Sequence, residues 1–317
     1  MNLTLADVAR AQKILRPYLP VSRLIPAPSI SQNGHKVFFK LESDLPTAAF
    51  KVRGALYALA ARLAHHPIQE VTASSTGNHG AGVAFAAKQL GVAATIFLPR
   101  NPNPVKRARI AALGAKVVES GKDITEACSA AIEYSQNEGI YFLNDATDPE
   151  LPAGPATIAA EIFEQLPATD TIVVPMGDTA LIRSVGTTAK QLSPTVKIIG
   201  VQAERAPSYF LSWKAGRVIP TETCDTIADG LATRMPELDN VETIRRVVDE
   251  VRLVSDQEML GAIRRLVLDE HIVAEPAGAA AVAAILQEPK LHGAQIVAIV
   301  SGANITAEVL QKALAAA

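Results

Sequence analysis

Cysteine is nearly absent from this chain. Its two cysteines, Cys128 and Cys224, stand far apart in 317 residues, and neither belongs to a paired motif. This argues against a disulfide-stapled scaffold and a cysteine-based metal cluster, and suits reduced thiols in the cytoplasm. Excess charge is lacking too. Thirty basic residues against 32 acidic ones leave a formal net charge of −2. With no long run of one sign, no nucleic-acid-binding surface is expected. No apolar stretch reaches the roughly 20 residues of a membrane span. The segment Met1–Asp7 lacks the basic-then-apolar pattern of a signal peptide. It reads instead as a helix start, with Thr4 as cap and Asp7 in the first turn. Repeats and low-complexity tracts are missing, and no G-x-G-x-x-G follows an early strand, against a dinucleotide-binding dehydrogenase. The expectation is a cytoplasmic protein without nucleic-acid or membrane partners.

What is present is ample core material: 49% of the residues are hydrophobic. Short β-branched runs alternate with longer alanine-rich ones. The strands expected are Val37–Leu41, Ala93–Leu98, Lys116–Glu119, Thr171–Pro175, Lys197–Val201 and Gln295–Val300. The helices expected are Val52–Ala64, His79–Leu90, Val105–Leu113, Ile124–Gln136, Ala156–Gln165, Ala180–Gln191, Asp256–Leu268 and Ala277–Leu286. Continuous apolar strands separated by helices indicate parallel sheets covered on both faces, an α/β fold. Gly91 and Gly114 fall between helix and strand, where a C-cap belongs. The turn-rich segment Asn144–Pro155 is a natural crossing between two units. Ligands of such sheets bind at strand carboxyl ends and between domains.

Four stretches carry candidate chemistry. Lys51 follows Phe50 and opens a helical run. Ser75-Thr76-Gly77-Asn78-His79 is a polar loop leading into a helix, suited to holding a carboxylate; its bland alternative is a helix cap with His79 on the surface. Gly177-Asp178-Thr179-Ala180-Leu181 joins a buried strand to a helix, so backbone N–H groups and a helix amino end converge there, as an anion site requires. Asp178 works against an anion, and Arg183 is the candidate to offset it. Ser301 ends the last strand, where it can hydrogen-bond a ring nitrogen.

Together these stretches resemble the fold-type II pyridoxal phosphate enzymes, the tryptophan synthase β-like group, and within it the serine/threonine dehydratases and serine racemases. Lys40-Leu41-Glu42 with Phe50–Ala55, Ser75–Gly80, Thr226–Ala232 and Glu275–Gly278 carry the resemblance, which runs from about Val21 to Asn304. It implies two three-layer α/β/α domains with the cofactor, pyridoxal 5'-phosphate, in the cleft between them. Residues 1–66 and 146–317 would form the large domain and 67–145 a smaller one inserted in it. By resemblance, Lys51 carries the cofactor and moves the Cα proton, Phe50 packs near its ring, and Asn78 meets the ring's 3′ oxygen. Gly177, Asp178, Thr179, Ala180 and Leu181 hold the phosphate, and Ser301 faces the pyridine nitrogen. Ser75, Thr76, Gly77, Asn78 and His79 hold the substrate carboxylate.

A serine opposite the pyridine nitrogen is no full counter-ion, so the ring is a weaker electron sink and β-elimination is favoured over transamination. The activity implied is loss of water from a β-hydroxy amino acid such as threonine or serine, giving a 2-oxo acid and ammonia. The alternatives are a racemase, a dehydratase of an unusual substrate (3-hydroxyaspartate, phenylserine or a hydroxyectoine-derived compound), and a non-catalytic binding protein. A homodimer and a small amino-acid substrate are the partners implied.

Three departures stand out. The family's phosphate loop is a run of glycines, and here it reads Gly177-Asp178-Thr179-Ala180. Since these side chains resist positive φ, a different loop geometry or different phosphate contacts are expected. Thr76 stands where racemases carry a serine base. Gln202 and Ser208 stand where metal-activated members carry acidic ligands, so no metal is expected. With the sequence running only about a dozen residues past Asn304, an appended regulatory domain is not expected.

Overall fold

The computed structural model describes residues 3–31, 34–75, 77–102, 104–122, 124–287 and 294–315. Its strands are β1 Leu24–Pro26, β2 Lys36–Leu41, β3 Glu70–Ser74, β4 Ala93–Leu98, β5 Lys116–Glu119, β6 Ile140–Phe142, β7 Thr171–Pro175, β8 Lys197–Ala203, β9 Glu250–Val254 and β10 Gln295–Val300. They form a six-stranded sheet in the order β1-β2-β10-β7-β8-β9 and a four-stranded sheet in the order β5-β4-β3-β6. All pairings are parallel except β1 with β2. The centre of the large sheet is dry on both faces: every residue of β7 is buried, as a parallel strand covered on both sides requires.

All six expected strands are present, with β8 two residues longer. The unexpected strands have physical reasons. β1 and β6 are only three residues long, and β3 (EVTAS) and β9 (EVRLV) carry charged or small polar residues that dilute the apolar run. The eight expected helices form, each within a few residues of its expected bounds. The amino-terminal helix Leu5–Leu15 starts with the Thr4–Asp7 capping box. Gly91 takes the left-handed C-cap at φ 70°, and Gly114 has φ 93°.

The helix Lys51–Leu63 crosses from the large sheet toward the small one. Its first turn is fixed by a buried ionic network. Arg53 Nε donates to Glu42 Oε2 at 2.7 Å and Nη1 to Glu161 Oε1 at 2.6 Å. Lys40 Nζ donates to Glu161 Oε2 at 2.6 Å and to the Ser22 carbonyl at 2.7 Å. Two cations and two carboxylates are thus matched in the interior, and the strands and helices bearing them lock into one arrangement. Burial opposes ionisation of Glu161, but Arg53 and Lys40 outweigh it and hold its carboxyl below the usual range.

Removing one partner strands the remaining charges. Glu161→Ala is expected to cost about 3–5 kcal/mol in urea unfolding. Because the folded state depresses this carboxyl, its stabilising contribution is present above the ordinary glutamate pKa of about 4.3 and is lost as the pH falls below it. The gap between wild type and Glu161→Ala should therefore narrow in acid.

Candidate active site

Strand carboxyl ends from both sheets face one cleft, and the cavity there is lined by the expected residues Phe50, Lys51, Ser75, Gly77, Asn78, His79, Gly177, Asp178, Leu181 and Ser301. Thr76 lies outside the described residues. Thr179 and Ala180 sit behind the wall, both buried. The cavity also takes in residues not singled out as site residues from sequence: Lys106, Asp145, Asp229, Thr233 and Glu275. Asp145 stands three residues beyond the carboxyl end of β6, a strand too short to signal itself in the sequence.

Lys51 stands at the amino end of its helix, presented by a tight seam. The Phe50 amide donates to the Ser301 carbonyl at 3.0 Å, and the Ala303 amide donates to the Ala48 carbonyl at 2.9 Å. These bonds tie the loop before Lys51 to the end of β10. On the other side, Gly82 of the helix Asn78–Leu90 packs on the Lys51 backbone, where a Cβ would come within 3.2 Å of the Lys51 carbonyl.

The Lys51 ammonium has two carboxylate partners. Its Nζ donates to Asp145 Oδ2 and Asp178 Oδ2, each at 2.6 Å. Burial alone would favour the neutral amine, but Asp145 and then Asp178 outweigh it and hold the ammonium above the ordinary lysine range. Both aspartate side chains keep 25% of their surface accessible, so they line an open cleft. Burial likewise opposes ionisation of Asp145, yet Lys51, then His79, pull its carboxyl down. Asp178 goes the other way: burial raises it, and Asp145 adds to the rise against the pull of Lys51.

The loop carrying Asp178 keeps a glycine-like path. Thr179 takes φ 74°, the left-handed region, at a cost of order 1–3 kcal/mol for a non-glycine residue. The loop thus holds a positive φ at a residue other than glycine. Arg183 Nε, donating to Thr179 Oγ1 at 3.0 Å, helps hold that conformation. Arg183 does not pair with the Asp178 carboxylate as expected; its Nη2 donates to the Ala146 carbonyl at 3.0 Å, and Lys51 offsets Asp178 instead. The contacts do differ from an empty anion cradle, because the Ala180 amide donates to Asp178 Oδ1 at 2.9 Å. The chain's own carboxylate occupies one amide of the helix end.

The remaining polar groups are firmly placed. Asn78 Nδ2 donates to Glu275 Oε1 at 2.5 Å, and Asn78 Oδ1 accepts from Asn304 Nδ2 at 2.6 Å. His79 is not on the surface but 3% exposed; its Nε2 faces the Leu143 carbonyl at 2.9 Å. Lys106 and Asp229 pair across the cleft mouth. Gln202 Oε1 accepts from the Phe210 amide and Ser208 Oγ donates to the Thr233 carbonyl. Among the described residues no helix is long and apolar enough to cross a membrane.

Gly177 marks the closest backbone approach. A Cβ there would overlap the Gly230 carbonyl oxygen. Gly177→Ala must push the end of β7 away from Gly230, and is expected to lower stability by about 1–3 kcal/mol. Thermal unfolding checks this.

The comparisons agree with this geometry. Residues 16–302 match the family model described as pyridoxal-phosphate dependent enzyme. An L-threonine ammonia-lyase of Thermotoga maritima is 35% identical over 98% of this chain and 78% of that protein. Maize serine racemase superposes with a TM-score of 0.93 at 28% identity, over 99% of this chain and 98% of that one. The processed form of threonine deaminase isoform 2 from Solanum lycopersicum gives a TM-score of 0.91 at 31% identity, over 99% and 92%. The fold is thus shared with these enzymes, and the chain belongs to the pyridoxal-phosphate dependent enzyme family.

Proposed function

We propose that the protein is a pyridoxal phosphate-dependent ammonia-lyase that removes water from a β-hydroxy amino acid of the threonine or serine type. The observation that carries this reading is Lys51 Nζ at the floor of the cleft, facing Asn78 and Ser301 from opposite sheets, in a chain 35% identical to an L-threonine ammonia-lyase.

The residues present fit the cofactor. Gly177 has no Cβ and abuts Gly230, which leaves bare backbone at the helix end where a phosphate would sit. Lys51 would hold the cofactor's aldehyde, Asn78, pinned by Glu275 and Asn304, would offer its amide to a ring substituent, and Ser301 ends β10 beside Phe50. When bound, the cofactor supplies an electron sink for the bond pair released at Cα. The chain's own residues do the rest. Ser75, the Gly77 amide and the amino end of the helix Asn78–Leu90 orient the substrate carboxylate. Lys51, once neutral, takes the Cα proton at Nζ. Ser301 offers the ring nitrogen a hydroxyl rather than a carboxylate, which favours loss of the β-substituent over transamination.

Residues 67–145 are the small domain in this reading, inserted between 1–66 and 146–317, with the cleft as their boundary. A cytoplasmic homodimer is part of the same proposal. Racemisation is the second reading, supported by the likeness to maize serine racemase.

A panel of L-threonine, L-serine, 3-hydroxyaspartate, phenylserine and a hydroxyectoine-derived compound, followed by 2-oxo acid release and by D-isomer formation, separates these readings. Predominant D-isomer would replace the lyase with the racemase. Lys51→Ala is expected to lower turnover by about 10³-fold or more, since it removes both the cofactor's attachment and the base. It should also abolish the visible absorbance of lysine-bound cofactor, while retained turnover would refute the role given to Lys51.

A further inference from the structure

Asp145 and Asp178 do more in this geometry than balance a charge. Each places its Oδ2 2.6 Å from Lys51 Nζ, so the two carboxylate oxygens are no further apart than the sum of those two bonds. Resting on the lyase reading, Lys51 Nζ is the atom that takes the Cα proton, so it must approach Cα to about 3–3.5 Å. Any group bonded to that nitrogen is then close to the substituent on Cβ, one bond further on. Loss of a β-hydroxyl needs an acid at that place, because hydroxide is a poor leaving group and water a good one.

We propose that Asp145 and Asp178 share one proton in the working enzyme and that Asp178, as the carboxylic acid of the pair, protonates the departing β-hydroxyl. The balance is complete. Lys51 Nζ accepts the Cα proton, the Cα–H electron pair forms the Cα–Cβ double bond, and the Cβ–O bond breaks. The oxygen takes the Asp178 proton and leaves as water.

Two independent observations point the same way. First, two carboxylates on one ammonium are tolerable only while that ammonium is charged. When Lys51 is neutral, as a base must be, the two carboxylates lose the cation that offsets their repulsion, which favours uptake of a proton by one of them. Asp178 is the one whose burial and neighbour favour the acid form. Second, His79 is 97% buried by its 3% exposure, and its Nδ1 has no hydrogen-bond partner, although it lies 3.9 Å from Asp145 Oδ2. With Nε2 donating to the Leu143 carbonyl, the ring turns Nδ1 toward that carboxylate. That juxtaposition is favourable only when one of the two carries a proton. The charged groups around the pair are Lys51, His79 and, behind the loop, Arg183.

The test compares leaving groups on the full, cofactor-loaded chain. L-serine needs an acid, whereas β-chloro-L-alanine expels chloride unaided. Asp178→Asn and Asp145→Asn are expected to raise the chloroalanine-to-serine ratio of 2-oxo acid release by about 10²-fold or more, the usual worth of a general acid. An unchanged ratio, whether both rates fall together or neither falls, overturns the acid's role and leaves the lyase reading standing. A wild type that turns over chloroalanine but no hydroxy amino acid overturns the lyase reading and the acid with it. Independently of turnover, the infrared difference spectrum of loaded against stripped wild type should show the carbonyl stretch of a protonated carboxylic acid. No such band overturns the proposal even if the variants fail to fold.

Discussion

The ion triplet at the cleft floor, one ammonium between two carboxylates, is the interaction on which the rest of the site depends. Asp145 arrives from the end of the small sheet and Asp178 from the end of β7 in the large one, and Lys51 opens the helix that runs between them. One lysine therefore joins both halves of the molecule at the point where chemistry is proposed. It is also over-supplied with negative charge, so the site favours the protonated lysine.

The loop that carries Asp178 into this triplet is held by its own neighbours. Left-handed backbone is retained at Thr179, held by Arg183, and the Asp178 carboxylate caps the Ala180 amide. This helix end carries an anion of its own.

Much of the architecture was legible in the sequence because continuous apolar strands and alanine-rich helices signal their periods strongly. Six strands could be read from their apolar runs, whereas β1 and β6 were too short and β3 and β9 too polar to stand out. Lys51, Asn78, Gly177 and Ser301 could be read from motifs, since each is bracketed by characteristic neighbours. Asp145 could not, because its meaning comes from a partner 94 positions away. The orientation of Arg183 was equally hidden: whether a guanidinium reaches a carboxylate or a backbone carbonyl depends on rotamers, not on spacing. His79 was read with a surface alternative and is buried, since the strand-end loop folds over it.

The contact between Gly82 and the Lys51 backbone has a mechanical meaning. The helix Asn78–Leu90 belongs to the half of the molecule that carries the asparagine loop, and its glycine rests on the peptide of Lys51. A rigid-body hinge that swung this half outward would slide that glycine along the lysine's carbonyl and disturb the lysine before admitting anything. Substrate entry that spares the lysine must then come from the rim, where the Lys106–Asp229 pair spans the mouth, leaving the floor stationary.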